Sequence, residues 1–188
     1  EVNNQRIKLL EQSAREVYKE WFVRMRFPGY KQAKFKKGVP NWDVIKFGDI
    51  AVFSKGANPE ELFENYIDGY KLYVNIEAIE GGKQTFCKDK KVVDVREGEV
   101  IMIMDGSRSG VVLKSREGAL GSTLSVIRCR KEFENFDSYI FYFLKQNYEW
   151  IESNNVGSAI PHANRKFIER IHLLKPPDEL IERFENTS

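Results

Sequence analysis

Apolar residues recur near the start of the chain at Ile7, Leu10, Ala14, Val17 and Trp21, with spacings of 3, 4, 3 and 4. That alternation is the seam of a coiled-coil helix. Leu9, Tyr18, Phe22 and Met25 widen the stripe toward its end, and Phe27-Pro28-Gly29-Tyr30 stops it. Proline has no N–H to continue the ladder, and glycine can turn away. Two heptads are too few for an independent coiled coil, so the stripe equally suits an amphipathic helix packed on its own domain.

Residues 31–37 are polar and basic and read as a linker. Residues 44–53 read as a strand entry. Asn58-Pro59-Glu60-Glu61-Leu62-Phe63 reads as a capped helical turn with proline in its first turn. Residues 70–79 alternate as a strand until Gly81-Gly82 breaks it. Short strands follow at 91–95, 99–104, 111–113 and 122–127, separated by glycine-rich turns, which predicts a twisted antiparallel sheet. The texture then changes. Tyr139, Ile140, Phe143, Leu144, Tyr148 and Ile151 carry the period of a buried helix over 136–153. A short helix at 161–168, a strand at 171–174 and a last helix from Asp178 to Phe184 complete the chain. The predicted class is α+β: a twisted, mainly antiparallel sheet with packed helices, preceded by a coiled-coil-type helix.

With 188 residues, the chain suits one ordinary domain, or one domain with an attached helix. Mean hydropathy is −0.50 and no apolar run approaches the roughly 18 residues of a membrane span, so no membrane contact is expected. The first residues form no signal-peptide core and include no Met, so a processed chain or a piece of something longer is expected. Cys87 and Cys129 stand far apart outside any CxxC pair, and only His162 and His172 accompany them, which excludes a standard zinc finger. A reduced cytosolic pair is the simpler reading of the cysteines, with a disulfide left open.

The net charge of +2 says little, but its distribution says more. Residues 1–82 carry 13 Lys and Arg against 12 Asp and Glu; residues 83–131 carry 11 against 6; residues 132–188 carry 6 against 10. A basic middle of +5 suits contact with a polyanion, and equally a solvated basic face.

Several catalytic chemistries lack their residues. The only Pro-Pro, in Lys175-Pro176-Pro177-Asp178, has the wrong neighbours for the turn that holds a target nitrogen in amino-methyltransferases. No glycine-rich turn follows a first strand, and no Walker lysine follows a glycine loop. Asp89-Lys90-Lys91 and Asp94 lack the Glu-x-Lys pair of a metal-dependent nuclease. Nothing places Ser, His and Asp in a triad. The sequence argues for binding, with no cofactor and no metal.

Three small-residue segments offer binding chemistry. In Asp105-Gly106-Ser107-Arg108-Ser109-Gly110, two glycines free the backbone, two serines offer hydroxyls, and Arg108 carries a rigid fork for a phosphate or a guanine edge. A plain hairpin loop is the alternative. Gly118-Ala119-Leu120-Gly121-Ser122-Thr123 suits a close packing contact or a second backbone approach. In Gly157-Ser158-Ala159-Ile160-Pro161-His162-Ala163-Asn164-Arg165-Lys166, Asn164 can cap the short helix or pair with adenine, and Arg165 and Lys166 can hold phosphates.

These segments carry a resemblance. With Asn4-Gln5-Arg6-Ile7 to Arg26-Phe27-Pro28-Gly29, Gly48-Asp49-Ile50 and Gly121-Ser122-Thr123-Leu124, they resemble, in order and over nearly the whole chain, the DNA-specificity subunit of type I restriction-modification systems. The resemblance implies two target-recognition domains held apart by two helices that pair as an antiparallel coiled coil, each domain reading half of a split DNA target. It divides this chain into a spacer helix (1–30), one target-recognition domain (31–175) and the start of a second spacer helix (176–188). It implies a non-catalytic cytoplasmic subunit whose partners are double-stranded DNA and modification (methyltransferase) subunits, with restriction motor subunits engaged indirectly. Only one recognition domain is present, so either an excised half or a half-length subunit that dimerises through its helices is expected. The expected seam is Ile7, Leu10, Ala14, Val17 and Trp21. The expected DNA contacts are Ser107, Arg108, Ser109, Lys90, Lys91, Lys114, Arg116, Asn164, Arg165 and Lys166, with Lys83 and Lys88 adding phosphate neutralisation. The competing expectations are a protein-interaction module built on the aromatic N-terminal helix and, further behind, a divergent nuclease.

Overall fold

The computed structural model describes residues 2–88 and 91–187. The chain order is α1 (Val2–Tyr18), β1 (Phe35–Lys36), β2 (Val39–Pro40), β3 (Asp43–Lys46), α2 (Phe47–Ile50), β4 (Ala51–Lys55), β5 (Lys71–Val74), α3 (Ile76–Ile79), β6 (Phe86–Cys87), β7 (Asp94–Val95) and β8 (Val100–Ile103). It continues with β9 (Val112–Lys114), β10 (Gly118–Leu120), β11 (Leu124–Cys129), α4 (Asp137–Gln146), α5 (Tyr148–Ser153), α6 (Arg165–Glu169), β12 (His172–Lys175) and α7 (Asp178–Glu185).

The central sheet has the order β4-β11-β8-β9, antiparallel throughout. Strand β8 is buried along its whole length because both sheet faces are covered. Val100 and Met102 point into a core shared with the helices, while Ile101 and Ile103 point into a second core. Strand β11 alternates likewise: Leu124 and Val126 enter the second core, Ile127 the first. The second core is capped by a smaller sheet of order β6-β5-β10-β7, in which β10 runs parallel to β5 and antiparallel to β7. Strands β12 and β3 form a separate antiparallel pair.

Several sequence expectations are corrected. The polar stretch at 31–37 leads into a hairpin of β1 and β2, whose two turn residues, Lys37 and Gly38, have φ of 52° and 81°. A two-residue turn matched to strand twist needs both angles positive. The strand expected over 44–53 is interrupted by α2. No helical turn forms at 58–63; the Asn58 side chain instead accepts hydrogen bonds from the hydroxyls of Tyr73 (3.0 Å) and Ser122 (2.7 Å). The strand expected over 70–79 ends at Val74, because Asn75 caps α3 by accepting from the Ala78 N–H at 2.8 Å. The long helix expected over 136–153 breaks at Asn147 into α4 and α5. The loop expected at 118–123 contains strand β10, and packing explains its glycine. A Cβ on Gly118 would sit 2.2 Å from the Leu72 carbonyl oxygen.

The N-terminal stripe divides. Ala14, Tyr18 and Phe22 are buried and Val17 and Trp21 partly buried, whereas Ile7 and Leu10 are 54% and 69% exposed. After α1 the chain makes a π-helical turn (Lys19–Val23) and ends with Met25 in the left-handed region, before Phe27 and Pro28 are reached. The end of α1 meets α7 and α4 in an aromatic cluster. Phe184, fully buried, lies 5.2 Å from Phe22, 5.9 Å from Tyr18 and 6.0 Å from Tyr142. Phe184→Ala should cost about 3–5 kcal/mol, as expected for emptying a buried aromatic site. Urea unfolding would read this as a lower midpoint, and an unchanged midpoint would mean that the cluster does not hold α1 and α7 to the domain.

Candidate nucleic-acid interface

The loop after β8 and the loop before α6 are hydrogen-bonded to each other. The Gly106 N–H donates to the Pro161 carbonyl at 2.9 Å, and the Ala163 N–H to the Met104 carbonyl at 2.8 Å. Asp105 bridges to His162, and Val156 exchanges two backbone hydrogen bonds with the same histidine. The Asp105 carboxylate uses both oxygens: Oδ1 lies 2.7 Å from His162 Nδ1, and Oδ2 accepts from Lys55 Nζ at 3.1 Å. Burial alone would raise this carboxyl, but the bonds from His162 and Lys55 outweigh it and hold it below its ordinary value. Strand β4 ends at Lys55 and β8 ends two residues before Asp105, so the central sheet delivers both partners to one point.

Around this junction stand Ser107, Arg108, Asn164, Arg165 and Lys166, half of the ten residues expected to contact DNA. Ser107 and Arg108 are exposed. Arg108 reaches back to Glu80, just beyond α3, at 2.6 Å. Asn164 caps α6 by accepting from the Phe167 N–H at 3.1 Å, which realises the first of its two expected roles. Arg165 lies 5.7 Å from the Phe53 ring and pairs with Glu169 at 2.7 Å. Lys166 is exposed and makes no ion pair with a described residue.

Other candidates are placed elsewhere. Ser109 is corrected: it is 1% exposed, and Asn155 Nδ2 donates to its hydroxyl at 2.8 Å and its carbonyl at 3.1 Å. It braces the loop from inside and offers nothing to a ligand. Lys114 is half-buried over the Phe141 ring at 4.8 Å, on the helical side of the sheet, where burial lowers its basicity. Arg116 turns inward to the Ala78 carbonyl at 3.3 Å. Lys91 is exposed, and Lys90 lies outside the described residues.

The basic middle of the chain is largely engaged within the protein. Lys83 pairs with Glu64 at 2.5 Å, Arg128 with Glu99 at 2.8 Å, and Arg130 donates to the Gly48 carbonyl, while Lys88 lies 5.9 Å from the Tyr70 ring. A polar concavity of about 710 Å³ on the small sheet holds Lys71, Asp94, Arg96, Glu117 and Arg128, with Lys71 and Asp94 paired at 2.7 Å. No group of His, Cys, Asp and Glu fit to hold a metal occurs among the described residues. No helix among them is long and apolar enough to cross a membrane. Cys87 and Cys129 are not joined in a disulfide.

Sequence reasoning named Arg108 and Asn164 but passed over Asp105, His162, Lys55 and Asn155, which join the loops. The one available signal was that two glycine-bearing segments each carried a titratable residue of complementary chemistry.

The fold matches solved specificity subunits. The HsdS subunit from Thermoanaerobacter tengcongensis superposes with a TM-score of 0.61 at 17% identity, over 98% of this chain and 43% of its own. The S subunit from M. genitalium gives 0.54 at 19% identity, over 82% of this chain and 39% of its own. These likenesses define a class by fold alone, the fold that these S subunits share. The sequence then fixes the family. The family model for the type I restriction modification DNA specificity domain matches residues 40–180. The type I restriction enzyme MjaVIII specificity subunit of Methanocaldococcus jannaschii is 31% identical over 157 residues, 80% of this chain. The chain belongs to the type I restriction-modification DNA specificity family. It spans 37% of the length of that curated relative.

The acid stability of the fold follows from its carboxylates. Burial raises Glu99, but hydrogen bonds from Arg128 and the Arg96 N–H more than offset this, so Glu99, like Asp105, is held below its ordinary value. A depressed carboxyl adds stability that is present above the unfolded value of about 4 and is lost as pH falls through the folded value. Glu99→Gln should therefore lose stability near neutrality and flatten the acid side. Urea midpoints at about pH 7 and about pH 3 would differ less than in the parent chain.

Proposed function

We propose that the chain reads one half of a bipartite DNA target, as one recognition domain of a cytoplasmic type I restriction-modification specificity subunit. Residues 31–175 would be the reading domain, and α1 and α7 would belong to the two spacer helices. In this reading modification subunits dock on the helices, restriction motor subunits join indirectly, and dimerisation through the helices would complete the target. Base flipping, methyl transfer and cleavage would belong to those partners, and this chain would be non-catalytic.

The carrying observation is the junction of the two loops. It brings the segment with Ser107 and Arg108 against the segment leading to Asn164, Arg165 and Lys166. Magnitudes favour Arg108 as a reader. Its pair with Glu80 is exposed on both sides, and such pairs contribute about 0–1 kcal/mol. A bidentate contact to guanine is worth about 1–3 kcal/mol of discrimination. Exchange of Glu80 for a base edge is therefore favourable. Arg165, Lys166 and Lys91 suit phosphates, which position the protein without reading sequence. The exposure of Ile7 and Leu10 supports a helix partner along the first half of α1.

The test is selection from a randomised duplex pool at moderate salt, with and without a cognate methyltransferase subunit. One short motif should be enriched. Arg108→Ala should relax preference at one position, whereas Lys166→Ala should weaken binding to all sequences alike and lower the salt slope by about 1. No enrichment in either condition, with retention equally poor at low salt, would move the function to a protein-interaction module.

A further inference from the structure

The bonds that join the two loops converge on Asp105. Its carboxylate takes one donor on each oxygen, His162 from the loop before α6 and Lys55 from the end of β4. Three separate parts of the chain therefore meet on one side chain. Asp105 is mostly screened from solvent, at 23% side-chain exposure. The histidine is itself fixed. Val156 holds it by two backbone hydrogen bonds of 2.7 and 2.9 Å, and the turn between them closes at Gly157, with φ of 92°. A Cβ at Gly157 would lie 2.4 Å from the Ile160 carbonyl oxygen and 3.0 Å from His162 Cδ2, so only glycine lets the turn close on the ring. On the other loop, Asn155 grips Ser109.

We propose that Asp105, His162 and Lys55 form a latch of positioning residues that holds the two DNA-facing loops in one fixed arrangement. This rests on the DNA-reading role proposed above and adds what sets its geometry. Arg108 follows Asp105 by three positions and Arg165 follows His162 by three, so the latch fixes the roots of both cation-bearing segments. A base-edge contact is productive only if its donors arrive in register, and freedom at the root of a long arginine is multiplied at its tip. The Asp105 carboxylate spends both of its oxygens on the protein.

Two sets of measurements test this on the full chain. The first needs no DNA. Amide hydrogen exchange at Gly106 and Ala163 reports whether the loops stay joined. Asp105→Ala and His162→Ala should speed it at these two sites, while amides of the central sheet keep their protection. His162→Asn, which presents a side-chain N–H close to the place of Nδ1, should restore slow exchange. Unchanged exchange in Asp105→Ala and His162→Ala would overturn the latch whatever the chain binds. The second set compares duplexes. Asp105→Ala should lose about tenfold in preference for the selected half-site over random duplex, the loss of one good base contact. Affinity for random duplex should stay within about twofold, because phosphate contacts tolerate loop freedom. His162→Asn should keep the preference. Equal loss for both duplexes would overturn the positioning role and leave Asp105 as part of the general fold. If Asp105→Ala fails to fold, Lys55→Met removes one donor and is read by the same measurements. A parent chain that enriches no motif would count against DNA reading alone, since exchange still decides the latch.

Discussion

The fold depends on burial of both faces of the β8–β11 strand pair. Val100 and Met102 face the helices and Ile101 and Ile103 the small sheet, and none of the four is more than 2% exposed. A strand wet on one face would alternate polar and apolar; this one cannot, because each face belongs to a different core. A shift of one residue would exchange the two cores' side chains at once, and the hydrogen-bonded register of Leu124 with Ile103 and Val126 with Ile101 is fixed accordingly. The loop junction is built on this pair and its neighbours. The latch aspartate follows β8, the latch lysine ends β4, and the small sheet that carries α3 and Glu80 is docked on the second core.

That arrangement explains why a loop so rich in glycine can be held firmly. Asp105-Gly106-Ser107-Arg108-Ser109-Gly110 has little side-chain mass for packing, and Ser109 is its main buried anchor. Order comes instead from outside: Asn155 and His162 donate to the loop, and the Pro161 carbonyl accepts from its Gly106 N–H. Polar attachment suits a loop with few side-chain atoms to bury. An apolar anchor would need more volume than the loop has.

What the sequence made legible was the part governed by periodicity. The run Val100-Ile101-Met102-Ile103, the buried period of Tyr139, Ile140, Phe143 and Leu144, and the terminal helix all lie where apolar spacing put them. Two of the failures share a cause: a local signal was overridden by a distant partner. Asn58-Pro59 carries a helix-start signature, yet the Asn58 side chain is taken by Tyr73 and Ser122. Gly118-Ala119-Leu120 has weak strand propensity, yet becomes a strand because only a glycine lets β10 pass so close to Leu72. The motifs with binding chemistry were visible as motifs, but their attachment to each other, through residues 57 positions apart, has no signature in one chain.

Charge shows the same limit of one-dimensional reading. The excess of five cations over residues 83–131 suggested an open basic face. In three dimensions those cations are drawn to different sides of the molecule and mostly engaged, Arg128 by Glu99, Arg116 by Ala78, Lys114 by the Phe141 ring. What distinguishes the loop cations is not their number but how weakly their present partners hold them. Arg108–Glu80 and Arg165–Glu169 are exposed pairs in high dielectric, whereas Arg128 also bonds the Asp94 carbonyl and meets a Glu99 that is only 21% exposed. A polyanion competes successfully for the first kind and poorly for the second. A surface built from replaceable pairs stays nearly neutral until a ligand with matching geometry arrives. On the proposed reading, this would limit non-specific attraction and leave more of the binding energy to the fit of the latched loops.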